Sequence, residues 1–168
     1  MIVVVAGVAG SGKTTVGQLL AARLDWQFAD GDSFHPAANI AKMEAGLPLT
    51  DTDREPWLVA MGSWMDDILS SGQSAVLACS ALKRRYRDNL LCGRDKAEMV
   101  FLVITREQSD ARLLARKGHF FHEPLLASQF ADLEPPDSDE RVYSVPVGQR
   151  PPGQVVAEII KLLGLGSG

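Results

Sequence analysis

Gly7-Val-Ala-Gly-Ser-Gly-Lys-Thr14 satisfies the phosphate-binding pattern GxxxxGK[ST] at every position. Each residue type has a physical task there. Gly7, Gly10 and Gly12 let the backbone turn its amides inward around phosphate oxygens. The helix expected after the loop adds its N-terminal partial charge. Lys13 reaches the β and γ phosphates, and the Thr14 hydroxyl ligates Mg²⁺. Val8, Ala9, Ser11 and Thr15 complete the nucleotide-binding set predicted for this stretch. The plain alternative is a glycine turn after a strand. A β-branched strand before the loop and an amphipathic helix after it make the match specific. The motif implies a nucleoside triphosphate and leaves the acceptor open.

Asp30-Gly-Asp32 is the second constellation. Two carboxylates two residues apart at a strand end can face one cleft. Beside a triphosphate, one would help hold Mg²⁺ and the other would accept a proton from the acceptor hydroxyl. Alone, the same residues would read as an ordinary Asx turn.

Other motifs narrow the class. The chain has no Asn-Lys-x-Asp guanine reader and no Asp-x-x-Gly switch, which argues against a GTPase. Leu69-Ser-Ser-Gly-Gln73 looks like a transporter-ATPase signature, but it ends a helix where that signature would open one. Gly72 there reads as a helix stop. The strand that follows, Ala75–Cys79, lacks a terminal Asp-Glu pair. A small-molecule kinase remains.

The elements that must position these residues are legible as alternating strands and helices. Ile2–Ala6, Trp26–Ala29, Ala75–Cys79, Met99–Ile104 and Val142–Val147 read as strands, the last weakened by Pro146. Helical spacing links Val16, Leu19, Leu20 and Leu24, then Trp57 to Leu69 with Pro56 in a first turn, then Asp110–Lys117, then Val155–Leu163. Alternation with fully apolar strands predicts a parallel sheet covered on both faces, with ligands at the strands' carboxyl ends. The Trp, Met and Leu stripe of residues 57–69 reads as core.

The 168 residues suggest one domain with a full hydrophobic core. A 46% hydrophobic content excludes long disorder, and no apolar run approaches a membrane span. The net charge of −4 argues against nucleic acid as a partner. Cys79 and Cys92 form no CxxC pair and read as reduced thiols of a cytoplasmic protein. The first positive side chain is Lys13, so the N-terminus lacks the layout of a secretory signal.

Further blocks name a family. Asp30-Gly-Asp-Ser-Phe-His-Pro36, Gly46-Leu-Pro-Leu49, Asp51-Thr-Asp-Arg54 and Pro56-Trp57 precede Cys79-Ser-Ala-Leu-Lys-Arg84 and Tyr86-Arg87-Asp88. Gly118-His-Phe-Phe121, Ser128-Gln-Phe130 and Leu133-Glu-Pro135 follow. From Ile2 to Pro135 the chain resembles the gluconokinases, which transfer the γ-phosphoryl of ATP to the 6-hydroxyl of D-gluconate. The resemblance implies an α/β fold like shikimate kinase and adenylate kinase. That is a three-layer α/β/α P-loop fold with a central parallel five-stranded sheet, a helical substrate-binding region and a mobile lid near 112–135. It also implies ATP and Mg²⁺ as cofactors, a cytoplasmic enzyme, and a homodimer.

The resemblance also assigns roles. Lys13, Asp32 and Arg116 form the expected catalytic set. Asp32 is the base or the acceptor that orients the 6-hydroxyl, and Asp30 the Mg²⁺ partner beside Thr14, the two roles being exchangeable on sequence. Arg54 is expected to meet the substrate carboxylate, by similarity to shikimate kinase; otherwise it pairs with Asp51 or Asp53. Ser80, Lys83 and Arg84 are expected at the substrate too, because cations at a helix start are disfavoured by the dipole unless an anion is near. His35 and His119 would bond sugar hydroxyls. By similarity to adenylate kinase, Arg112 would stack on adenine and Arg116 clamp the phosphates, with Gly118 as a hinge. The loop Gln149-Arg-Pro-Pro-Gly153 could edge the adenine pocket by position. Cys79-Ser-Ala81 stands where a shikimate kinase would carry a glycine-rich turn. The alternatives are a kinase for another small hydroxy acid such as shikimate, or a nucleotide-binding regulator.

Overall fold

The computed structural model describes residues 1–115 and 123–166. Arg116, Gly118, His119 and the His119/His122 pair lie outside the described residues, as does the centre of the expected lid.

Five strands, β1 (Ile2–Ala6), β2 (Gln27–Asp30), β3 (Ala75–Cys79), β4 (Ala97–Val103) and β5 (Val142–Pro146), form one sheet in the order β2-β3-β1-β4-β5. Every pairing is parallel. Central β1 and β3 are buried along their whole length, as their unbroken apolar runs require. β5 lies at an edge, where the missing Pro146 amide costs no ladder bond on the open side.

Helices α1 (Lys13–Leu24) and α7 (Pro152–Leu162) pack together, as do α3 (Asp51–Ser70) and α4 (Arg84–Leu91). Between β2 and α3 stand a 3-10 turn at Gly31–Phe34 and α2 (Ala37–Glu44); α5 (Arg106–Ala115) and α6 (Glu123–Asp132) follow β4. None of the described helices is long and apolar enough to cross a membrane.

Several boundaries differ from the sequence reading. α3 begins at Asp51, so Pro56 lies inside it and not in its first turn. A capping box accounts for the early start: the Thr50 hydroxyl accepts from the Asp53 amide, and the Asp53 carboxylate accepts from the Thr50 amide. α5 starts at Arg106, four residues before the expected helix, with the Thr105 hydroxyl accepting from the Gln108 amide. Both cysteines are free thiols, Cys79 buried and Cys92 exposed. Burial pushes the Cys79 thiol up to about 12.

Candidate functional site

The carboxyl ends of β1, β2 and β3 deliver Gly7, Asp30 and Ser80 to one edge of the sheet. The glycine loop leaves β1 under tight constraints. A Cβ on Gly7 would meet Ser11 Oγ at 2.8 Å and the Leu102 carbonyl oxygen at 2.9 Å, at a φ of 145°. Lys13 Nζ donates to the Val8 carbonyl at 3.0 Å, curling over the loop it serves.

The Asp30–Asp32 turn is anchored to this loop. The Thr14 hydroxyl donates to Asp30 Oδ2 at 2.9 Å. The other oxygen, Asp30 Oδ1, accepts from the Asp32 amide at 3.0 Å and caps the 3-10 turn. Glycine is required between the two aspartates: a Cβ on Gly31 would meet Cys79 Cβ at 2.7 Å and the Ala78 carbonyl oxygen at 2.8 Å. Trp57 Nε1 donates to the Gly31 carbonyl at 2.7 Å from the other side. The turn is therefore pressed between β3 and α3. The Asp32 carboxyl is held above its ordinary range. The cleft walls strip part of its hydration, the Asp30 charge adds to the effect, and Lys13 opposes both. Water still reaches the residue from the rim.

Asp32 opens onto a cavity of ≈ 130 Å³ shared with His35, Arg54, Trp57, Ser80 and Gln129. The His35 ring stacks on Trp57 with centroids 4.8 Å apart and planes 8° from parallel. Asn39 Nδ2 donates to the Asp53 carbonyl at 2.7 Å and lies 3.3 Å from His35 Nδ1. An amide nitrogen can only donate, so Nδ1 is the acceptor and Nε2 keeps the proton. Burial, reinforced by the Arg54 charge, pulls the His35 pKa down to about 4, so the ring is neutral at physiological pH.

Arg54 pairs with neither Asp51 nor Asp53. Its NH1 donates to Asp132 Oδ2 at 2.9 Å and to the Tyr86 hydroxyl at 3.2 Å, and its Cζ lies 5.6 Å from the Tyr86 ring centroid. Lys83 Nζ sits 2.9 Å from Asp51 Oδ1 and 3.5 Å from Asp132 Oδ1. The Tyr86 hydroxyl and Arg85 also bond Asp51. Three cations, Arg54, Lys83 and Arg85, thus share two carboxylates, Asp51 and Asp132, beside the cavity.

Arg84 is not among the residues lining this cavity; its guanidinium makes a paired contact with Asp139 at 2.9 and 2.8 Å and its Nε lies 3.7 Å from Asp88. Two protein carboxylates, Asp88 and Asp139, thus lie beside this cation at a helix start. Arg87, in the same block, is fully buried against Glu140.

On the other side of the loop a second cavity of ≈ 280 Å³ is lined by Gly10, Gly12, Thr15, Arg112, Arg150 and Pro152, among others. Arg112 NH1 reaches the Gly10 and Ser11 carbonyls at 3.4 and 3.3 Å, and NH2 donates to the Gly148 carbonyl. Arg150 and Pro152 bring the 149–153 loop to the edge of this cavity.

Four contributors were given no site role from sequence, although Tyr86 and Gln129 stand inside the family blocks: Tyr86, Asp132, Ser109 and Gln129. Ser109 Oγ donates to the Ala9 carbonyl, and Gln129 Oε1 accepts from the Ala9 amide, each at 2.7 Å. Their partners lie 100 and 120 residues away, beyond any local pattern. Gln129 and Asp132 stand three apart on α6, one helical turn, which is the only local signal pairing them.

The Shikimate kinase family model matches residues 9–162. A gluconokinase of Gluconobacter oxydans is 46% identical over 94% of this chain and 88% of its own length. Among solved structures, a sugar kinase from Janibacter sp. HTCC2649 superposes with a TM-score of 0.91 at 41% identity, covering 98% of this chain and 95% of its own. A gluconokinase from Sinorhizobium meliloti 1021 superposes at 0.86 and 41% identity, covering 96% and 90%.

Proposed function

This chain belongs to the gluconokinases of the shikimate kinase-like P-loop family, and we propose that it transfers the γ-phosphoryl group of ATP to the 6-hydroxyl of D-gluconate. One observation carries the reading. A phosphate loop and a polar acceptor cavity meet at Asp30-Gly31-Asp32, with an arginine at the cavity's other wall.

In this reading the loop from Gly7 to Thr15, including Val8, Ala9, Gly10, Ser11 and Gly12, holds the triphosphate, and Lys13 faces its outer phosphates. Arg112, Arg150 and Pro152 border the adenine end. Asp32 accepts the hydrogen bond of the 6-hydroxyl and takes its proton as the O–P bond forms. A modest carboxylate suffices, because phosphoryl transfer depends on position and charge more than on base strength. Neutral His35 offers its Nε2–H to a sugar hydroxyl, and Ser80 offers a hydroxyl. Arg54, with Lys83 behind it, meets the gluconate carboxylate with a planar fork.

Thr14 and Asp30 present hard oxygen donors side by side, the chemistry Mg²⁺ selects. Bound there, Mg²⁺ would neutralise charge on the β and γ phosphates. Thr14 would ligate it directly and Asp30 through water. Arg116 as phosphate clamp, His119 as a hydroxyl partner and a lid near 112–135 rest on the family resemblance. So do one kinase domain over 1–168, a cytoplasmic setting and a homodimer.

The test is ADP release with Mg-ATP against D-gluconate, shikimate, glucose, glycerate and nucleoside monophosphates, for the natural chain and Asp32→Asn. The expected result is turnover with gluconate, lost in the variant. Turnover confined to shikimate would favour the second reading, for which the matched family model speaks. ATP binding without turnover on any acceptor would indicate a regulator.

A further inference from the structure

Gln129 joins the phosphate loop to the acceptor cavity. Its Oε1 accepts the Ala9 amide proton at 2.7 Å, so it touches the phosphate loop. The same side chain lines the acceptor cavity with Asp32, His35, Arg54 and Ser80. No other residue of α6 bridges these two places among the described contacts.

The chemistry of the Ala9 contact fixes which way the carboxamide points. A backbone N–H can only donate, so the atom facing it must be the oxygen. The Nε2 amino group is then turned away from the loop, and it has no partner among the described residues. The Ala9 carbonyl is tied by Ser109 Oγ at 2.7 Å, so Ala9 is held through both its amide and its carbonyl.

We infer that Gln129 is a catalytic hydrogen-bond donor to the phosphoryl group in flight, its amino group aimed at the gap between the Ala9 end of the loop and Asp32. The inference rests on the kinase reading above. The γ-phosphoryl must cross that gap to reach an oxygen held by Asp32. An amide donor suits the place. A lysine there would pair with Asp32 and quench it, whereas a neutral donor supports charge on the equatorial oxygens without binding the carboxylate. The side chain forms no bond and exchanges no proton in the step.

Two substitutions separate this role from a purely structural one. Gln129→Glu keeps an oxygen for the Ala9 amide and removes the donor; Gln129→Ala removes both. The expected result is a kcat at saturating gluconate reduced by about 10²-fold in both variants. In the Glu variant the Ala9 amide keeps its acceptor, but its resonance shifts and ADP affinity falls, because a carboxylate replaces a neutral amide beside the diphosphate. ADP affinity should stay at its natural value in the neutral Ala variant. ADP is the probe because it lacks the phosphoryl group on which the donor acts. Recovery of kcat in the Glu variant relative to Ala would overturn the inference, since Glu restores only the clamp. Unchanged kcat in both variants would overturn it as well. If the Ala variant unfolds, the Glu variant carries the test alone. Basal hydrolysis of Mg-ATP, measured without gluconate, should fall in parallel. That arm holds even if gluconate proves not to be the acceptor, so failure of the kinase-for-gluconate reading shows separately, in the natural chain.

Discussion

Thr14 Oγ1 donates to Asp30 Oδ2 at 2.9 Å, tying the first turn of α1 to the end of β2. The bond separates two carboxylates that look equivalent in the sequence. Asp30 is committed on both oxygens, to the Thr14 hydroxyl and the Asp32 amide. Asp32 faces the acceptor cavity. In the reading proposed above, Asp30 accordingly takes the metal side and Asp32 the hydroxyl side.

Asp30→Asn and Asp32→Asn should therefore fail differently. Asp30→Asn removes a negative charge beside Thr14, so more Mg²⁺ will be needed for half-maximal rate, with kcat partly restored at high Mg²⁺. Asp32→Asn should lower kcat by ~10²-fold or more at any Mg²⁺ concentration, the usual contribution of a positioned proton acceptor. Initial rates across a Mg²⁺ titration read the difference. Equal Mg²⁺ rescue of both variants would contradict the assignment.

The pH dependence follows from two shifts of opposite kind. His35 has its folded pKa pulled from 6.5 to about 4. Between those values the unfolded chain binds a proton that the folded chain refuses. Stability is thus fully present above about pH 6.5 and falls as the pH drops toward 4. Asp53, held down to about 2 by Lys42 and Thr50, loses its contribution only between its ordinary 3.8 and about 2. The raised Asp32 acts the other way, favouring the fold as the pH falls. His35→Phe keeps a ring against Trp57 and removes the titration. The drop in unfolding midpoint from pH 7 to 5 should shrink in that variant. The rate should rise with pH through an acid limb set by Asp32, with no separate limb at 6.5. A limb at 6.5 that vanishes in His35→Phe would contradict the neutral ring.

Strand positions were legible because β1 and β3 are buried on both faces and carry unbroken apolar runs. The glycine loop was legible because backbone approach and reversed φ leave a signature in residue type. Helix starts were less so: Thr50–Asp53 draws α3 back to Asp51 past a proline that suggested a later beginning. The charged residues after β3 were the hardest. Lys83, Arg84 and Arg87 look alike in sequence, yet their partners come from 32 to 55 residues away and send each to a different place. Gln129, although inside the Ser128-Gln-Phe130 block, and Asp132 were given no role for the same reason. A polar side chain's task is set by what the fold sets against it, and no local period records that.

Arg87 shows the structural end of this block. Its side chain is fully buried, its NE and NH2 reach the Glu140 oxygens at 2.7 and 2.8 Å, and NH1 donates to the Leu82 and Glu134 carbonyls at 2.9 Å. It thereby staples the segment after α6 to the start of α4. Arg87→Met leaves the Glu140 carboxylate buried without a counter-charge and should cost about 3–5 kcal/mol in urea unfolding. The double variant Arg87→Met, Glu140→Leu should recover part of the loss, since no lone charge remains. A single variant as stable as the natural chain would mean that Glu140 escapes to solvent.

Arg54→Lys tests the acceptor cavity. The natural guanidinium spends NH1 on Asp132 and Tyr86 and stacks over the Tyr86 ring, an arrangement that pins a planar group. Lysine keeps the charge and loses the fork. Losing one charge-assisted hydrogen bond to the substrate carboxylate, ~1.5 kcal/mol, corresponds to about tenfold in affinity. The KM for gluconate should rise by about that factor, with the KM for ATP unchanged. Asp132→Asn should raise the gluconate KM less, because Tyr86 still holds the arginine. A parallel rise in both KM values for Arg54→Lys would place the residue's effect on the fold of the site as a whole, and not on the carboxylate.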